Sequence, residues 1–492
     1  MRIAFVASEC VPFSKTGGLA DVVGALPEAL SALGHEVEVV LPRYRMTKPG
    51  PAHPNARNMT LPLSAGYHYA ALENGAEIKG VRHHLVELPE FFDREGLYQT
   101  QEGVEYSDNA QRFAAFAFAA LEGLKRVSKP PEVIHCHDWQ ASLAPVYLKQ
   151  LYARDPFFAR ASTLLTIHNL AYQGLFPPEV LPQISLDHSV FNIDGLEFYG
   201  KVNLLKGGII FSDFVTTVSR RYAAEIQTPE FGCGLEGVLR NRAGRLQGIV
   251  NGVDYDAWNP AADKLIASPY SPANLTGKKA CKRALLERMS AAKPDAGCAV
   301  IGIVSRFAAQ KGFDLIAHLA EKLARMDAIV VALGTGEPQY EQLFRQLAMD
   351  YPQKFLVKVA YDNEIAHMIE AGADIFLMPS RYEPCGLNQI YSLKYGTAPV
   401  VRATGGLDDT IQEFNGTEGT GFKFEDYSAL ALLDALERAL SYYRQPAAWR
   451  RLMLNGMAKD FSWSVSARAY AALYEQLSVE RSRTNPAPST SN

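Results

Sequence analysis

No C-x-x-C pair occurs in this chain of 492 residues; its six cysteines, at 10, 136, 233, 281, 298 and 385, are scattered. That spacing gives no disulfide framework and suits thiols held in a reducing compartment. An excess of one charge is missing as well: 49 Lys and Arg stand against 53 Asp and Glu, for a formal charge of −4. Neither a nucleic-acid partner nor an anionic membrane surface is expected, and any positive potential has to be local. Long apolar runs are absent. The most apolar helical stretch, FAAFAFAALEGL (113–124), is closed by Glu122 and Lys125 and falls well short of a bilayer span. The sequence begins on strand-like RIAFVASE without the pattern of a signal or transit peptide, which makes the cytoplasm the expected compartment.

What the chain does contain is an alternation. Short β-branched runs such as IAFVAS (3–8), VEVVLP (37–42), VIHCHD (133–138), TLLTIHN (163–169), FVTTVS (214–219) and GIVNGVD (248–254) are separated by helical patterns. In LADVVGALPEALSALG (19–34), Leu19, Val22, Val23, Leu26, Leu30 and Leu33 follow the 3.6-residue period, and Gly34 supplies a C-cap. The second half repeats the grammar in AVIGIVSR (299–306), AIVVALGTG (328–336), KFLVKVA (354–360), DIFLMPS (374–380) and PVVRATGG (399–406). Alternating strands and helices over this length predict an α/β protein of two Rossmann-like parallel-sheet domains facing a deep interdomain cleft. The expected boundaries are 1–258 for the first domain, 259–297 for a linker that ends in a helix near Lys279–Met289, and 298–460 for the second. A further helix at 461–478 and a disordered tail at 479–492 complete the chain.

Ligands of open parallel sheets bind beyond the carboxyl ends of the strands, and here those ends carry unusual residues. The first strand runs into SKTGGLADVVGALP (14–27), which matches neither common phosphate-loop fingerprint. In the second half, Thr404, Gly405 and Gly406 of ATGGL precede a helix, and Arg306 and Lys311 follow the first strand. A glycine-rich helix start with two cations suits a diphosphate; a solvated turn with two surface charges is the plainer alternative. HCHDW (135–139) invites a metal, but a zinc site needs a third ligand and His168 is the one candidate. The alternative there is a packed histidine with Asp138 turned to the cleft. In EPCGL (383–387), Cys385 reads as a small residue in a tight turn and Glu383 as a sugar ligand.

Seven segments in order extend this reading: KTGGLADVVGALP, HCHDWQASL, TIHNLAYQGLFP, GCGLEGVLRNRAGRLQGIVNGVDYDAWNP, SRFAAQKGFDL, PSRYEPCGLNQIYSLKYGTAPVVRATGGLDDT and FSWSVSARAYAALY. Together, over roughly Arg2 to Leu477, they resemble the bacterial glycogen synthase and plant starch synthase family. The resemblance implies a retaining glycosyltransferase of GT-B architecture that moves glucose from ADP-glucose to the non-reducing end of an α-1,4-glucan such as glycogen or a malto-oligosaccharide. It implies that the 461–478 helix crosses back to the first domain, and it implies neither cofactor nor metal. Oligomeric state is left open. Carried onto this chain, it gives Lys15 a phosphate of the donor, places Gly18 where backbone approaches the ligand, and lets Asp21 bond the nucleotide or fix the loop. Asp138, His168 and Asn251 line the glucose and acceptor side. Arg306 and Lys311 bind the diphosphate, Glu383 the donor glucose, Thr404, Gly405 and Gly406 a phosphate, and Tyr361 the adenine. Three rivals stay open: a UDP-glucose-dependent GT-B enzyme, a glucan phosphorylase, for which no pyridoxal-phosphate lysine segment stands out, and a catalytically silent glucan-binding scaffold.

Overall fold

A computed structural model describes residues 1–48, 50–51, 54–63, 66–290 and 297–484. The chain divides into two compact units, one of residues 1–218, 223–252 and 463 onward, the other of 219–222 and 253–462.

The first unit is organised by nine strands: β1 (Arg2–Val6), β2 (Glu36–Pro42), β3 (Met59–Leu63), β4 (Gly66–Ile78), β5 (Val81–Glu87), β6 (Val133–His137), β7 (Ser162–Ile167), β8 (Phe214–Thr217) and β9 (Leu246–Gly248). They lie in the order β9-β8-β7-β6-β1-β2-β5-β4-β3. Neighbours pair in parallel except β4, which runs antiparallel to both β5 and β3. The central strands are continuous apolar runs because helices cover both faces. On one face, helix Gly18–Ala32 and helix Trp463–Thr484 share a core with Phe5, Val39 and Leu164. Gly34, at φ 89°, ends the first of these as a left-handed cap. The last helix continues through residues 479–484, where a disordered tail was expected; the remainder of that expectation lies outside the described residues.

The second unit has six parallel strands: β10 (Ala299–Val304), β11 (Ala328–Gly334), β12 (Phe355–Val359), β13 (Ile375–Met378), β14 (Ala398–Arg402) and β15 (Phe422–Phe424), ordered β12-β11-β10-β13-β14-β15. Residues 253–290, most of the stretch expected as a linker, belong to this unit. Helix Thr276–Met289 buries Leu285 and Leu286 against the sheet. Its lysines fix it there: Lys278 donates to Thr397 Oγ1 (2.7 Å) and Lys282 pairs with Asp374 (2.7 Å). Both lysines are themselves buried, so each ammonium depends on these acceptors.

The parallel part of each sheet reverses its strand order once, between β1 and β6 in the first unit and between β10 and β13 in the second. Such switch points open a crevice at the carboxyl ends. Among the described residues, no helix is long and apolar enough to cross a membrane.

Candidate active site

In the second unit, the loop after β10 and the loop after β13 meet at the switch point. Arg381 N–H donates to Gln310 O (2.9 Å), which ties the two loops together. Lys311 Nζ then lies 2.6 Å from Glu383 Oε2, and Ser380 Oγ donates to the same oxygen (3.1 Å). Glu383 is buried, so its carboxylate depends on this cation and hydroxyl. Arg306 is exposed, with Nη2 donating to Gln310 Oε1 (3.0 Å). Ser219 Oγ donates to Pro384 O (2.7 Å), holding EPCGL from the other side. Tyr361 follows β12 and is 89% exposed, a ring without packing that leaves it available to a flat ligand.

Thr404, Gly405 and Gly406 sit directly against Glu383, but not as open phosphate donors. Gly406 N–H donates to Glu383 O (3.0 Å) and Thr404 N–H to Arg402 O (2.9 Å). The glycines are there for close approach: a Cβ on Gly405, at φ 46°, would stand 1.9 Å from Glu383 O, and one on Gly406 2.0 Å from Cys385 O. The expected cradle is therefore the packing support of Glu383. The helix start not expected from the sequence is the preceding one, Asn388–Tyr395. Asn388 Nδ2 donates to Val304 O (2.8 Å), which fixes this helix start beside the end of β10. The main-chain N–H groups of Leu387 and Asn388 bond no other group among the described residues. The signal was present in sequence as Gly386 ahead of the amphipathic LNQIYSLKYG.

In the first unit, the loop after β1 is pinned by Glu9. This buried carboxylate accepts from Thr16 N–H, from Thr16 Oγ1 (2.6 Å) and from Tyr98 OH (2.5 Å). Lys15 extends outward and pairs with Asp21 (2.7 Å), its side chain half exposed. That pair is a contact within the loop itself. Gly18 begins the helix, and a Cβ there would meet nothing within 4 Å. The fold itself does not require glycine at this position, whereas a ligand lying against the backbone would.

Across the switch point, Asp138 follows β6 at φ 54°, a left-handed conformation uncommon outside glycine. That turn aims Oδ1 at the main-chain N–H of His168 (2.7 Å), at the end of β7. Burial pushes the Asp138 carboxyl up to about 7, against the relief its backbone donors provide. Burial pulls His168 down to about 3, so its ring is neutral at pH 7. His137 Nδ1 and His168 Nε2 are 3.0 Å apart, while His135 contacts Thr166 Oγ1 (2.6 Å) and Tyr474 OH (2.8 Å). These rings fill the core and hold each other. Among the described residues, no three His, Cys, Asp or Glu side chains converge as metal ligands. Asn251, beyond β9, is buried, and its Oδ1 has no hydrogen-bond partner among the described residues.

Residues 2–241 match the starch synthase catalytic domain, and residues 288–451 match the glycosyl transferases group 1 family. The chain is a two-domain glycosyltransferase of parallel-sheet α/β units. A glycogen synthase of Koribacter versatilis (strain Ellin345) is 55% identical over 97% of this chain and 98% of its own. Another glycogen synthase, from Anaeromyxobacter sp. (strain Fw109-5), is 48% identical over 97% of this chain and all of its own. In structure, the chain is similar to the catalytic domain of starch synthase IV from Arabidopsis thaliana, solved bound to ADP and acarbose. That likeness has a TM-score of 0.86 and 32% identity, covering 97% of this chain and 99% of the other. The chain belongs to the glycogen synthase and starch synthase family.

Proposed function

We propose that this chain transfers glucose from ADP-glucose to the non-reducing end of an α-1,4-glucan with retention of configuration, releasing ADP. The observation that carries the proposal is the Lys311–Glu383 pair at the β10/β13 switch point, with Arg306 beside it, in a chain 55% identical to a glycogen synthase over nearly its whole length. Cleavage of the donor places negative charge on the leaving diphosphate. Lys311, Arg306 and the N-terminus of helix Asn388–Tyr395 stabilise that charge as it develops. Glu383, held by Lys311 and Ser380, orients the glucose through its hydroxyls, and Tyr361 takes the adenine.

The acceptor 4-hydroxyl attacks C1 on the face that the diphosphate leaves. The C1–O bond to phosphate breaks, the new glycosidic bond forms, and the hydroxyl proton passes to the departing diphosphate oxygen. His168 is suited to this as a hydrogen-bonding group without charge, since its ring is neutral at pH 7 and offers one N–H donor and one nitrogen acceptor. Asp138 fixes the His168 main chain, whose carbonyl faces the developing positive charge at C1. Asn251 contributes its buried amide to the acceptor side. The compartment is the cytoplasm, a reading supported by the absence of any disulfide among the six cysteines.

The test is a donor panel. Purified protein with glycogen is expected to release ADP from ADP-glucose and to lengthen chains, with UDP-glucose a poor substitute. Faster UDP release would assign it to the UDP-glucose enzymes, and glycogen binding without consumption of either donor would make it a scaffold.

A further inference from the structure

A small sheet is rooted beside Asp138 and ends in a strained aromatic tip. Gly174 and Phe176 lie against Trp139, the residue after Asp138: a Cβ on Gly174 would stand 2.5 Å from the indole, and the Phe176 ring centroid is 6.0 Å away. Strand Leu175–Phe176 pairs with Lys201–Asn203, which pairs in turn with Glu197–Phe198. The last two strands are joined by a two-residue turn, Tyr199–Gly200, with φ of 50° and 77°. Turns with two positive φ values ordinarily use Asn-Gly or Asp-Gly. A tyrosine there is a backbone outlier, and its ring is 81% exposed. Strain of this kind persists where the surroundings over-determine it, and it clusters at binding sites.

The surroundings do over-determine it. Lys206 is buried beneath the hairpin, and its ammonium donates to Ile193 O (2.8 Å) and Glu197 O (2.5 Å). Glu197 Oε1 accepts from Gly200 N–H (2.8 Å). Gln173 bridges the base, accepting from Asn203 Nδ2 (2.6 Å) and donating to Cys233 O (3.1 Å). Cys233 is also left-handed, at φ 49°, and a Cβ on its neighbour Gly234 would lie 2.8 Å from Phe198. A rigid framework thus holds one aromatic face open to solvent, continuous with the residues that carry Asp138 and His168. A pyranose presents an apolar C–H face that fits a flat ring, and exposed Asn192, Asp194 and Lys201 stand in the same hairpin region for its hydroxyls.

We propose that Tyr199 is a stacking platform for the α-1,4-glucan acceptor, binding a glucosyl unit away from the reacting end. This rests on the glucan-synthase reading above and adds a binding residue to it. The strain at Tyr199 is retained because only a large flat side chain at this tip gives the acceptor a surface.

The experiment uses the full chain with Tyr199→Ala, Tyr199→Gly and Tyr199→Phe. Acceptor KM is measured with maltoheptaose at saturating ADP-glucose, and glycogen binding is measured without donor by affinity electrophoresis. The alanine and glycine variants are expected to raise acceptor KM about tenfold and to lose retardation by glycogen, with the ADP-glucose KM unchanged; phenylalanine retains both. Tyr199→Gly is also expected to melt higher than wild type, because it relieves the φ while removing the platform. Unchanged acceptor KM and retardation in all three would overturn the proposal. So would a lower melting temperature for Tyr199→Gly without loss of glycogen binding, or a change in sedimentation alone, which would mean a contact between copies. If wild type consumes no ADP-glucose yet its retardation depends on Tyr199, the catalytic reading fails and the platform stands.

Discussion

At the β1/β6 switch point the polar groups are buried or half-buried and their charge is suppressed: His135 and His137 are held well below the ordinary histidine range by burial, His168 is down to about 3, and Asp138 is up to about 7. At the β10/β13 switch point they are charged and partly open, with Lys311 against Glu383 and Arg306 exposed. On the proposed reading, the same sheet geometry serves two kinds of chemistry. Low dielectric around the histidines suppresses charge and favours directed hydrogen bonding to a sugar. The second unit keeps its cations accessible, as a phosphate ligand requires. The difference teaches that position at a switch point says where a ligand lies, while the desolvation of the side chains says which part of it.

The largest expected effect falls on the charged side. Lys311→Met should lower turnover about a hundredfold, or about 3 kcal/mol, in steady-state assays. Adding Glu383→Gln should restore melting temperature toward wild type without restoring activity, because the double variant leaves no buried carboxylate unpaired. Gly405→Ala comes next. Its Cβ would collide with Glu383 O and its φ is left-handed, so a loss of about 2–3 kcal/mol in denaturant unfolding is expected, together with weakened turnover.

The neutral side is tested by pH. The folded protein keeps the Asp138 proton up to about pH 7, whereas the unfolded chain releases it near 3.8. Its contribution to stability is therefore complete below about pH 4 and is lost as pH rises through 7. Asp138→Asn should gain in melting temperature relative to wild type between pH 5 and pH 8. His168 has the opposite sign: its folded value lies below 6.5, so its contribution is present above that pH and fades as pH falls toward 3. His168→Asn should flatten the acid arm of the same curve.

The smallest stability effects belong to the first loop. Gly18→Ala meets open space at a helix start and should hold or raise stability by up to about 1 kcal/mol, while weakening donor binding. Lys15→Ala breaks a half-exposed pair and should change stability by less than about 0.5 kcal/mol, again with loss of donor affinity in titration. Unchanged donor binding in both would remove Lys15 and Gly18 from the donor site.

Much of this architecture was legible because parallel strands buried on both faces write themselves as Val- and Ile-rich runs. The β3–β4 hairpin was not read: MTLPL and GYHYAALENGAEI carry no continuous apolar signal. The strand expected at 248–254 lies earlier, at Leu246–Gly248, because the Asn251 loop carries similar β-branched residues without a ladder to join. ATGGL was expected as a glycine-bearing helix start, whereas EPCGL, which also leads into one, read only as a tight turn. What decides between them is that the N–H of Gly406 is consumed by the Glu383 carbonyl, a tertiary fact that local sequence does not record. The left-handed backbone of Asp138, and Glu9 as the anchor of the first loop, are hidden for the same reason.

The most direct measurement is nucleotide release from ADP-glucose and UDP-glucose by wild type and Lys311→Met, with glycogen as acceptor. ADP release with growth of α-1,4 chains, lowered about a hundredfold by the substitution at an unchanged far-UV spectrum, is the expected result. Equal turnover in the two proteins, or release of UDP in preference to ADP, would contradict it.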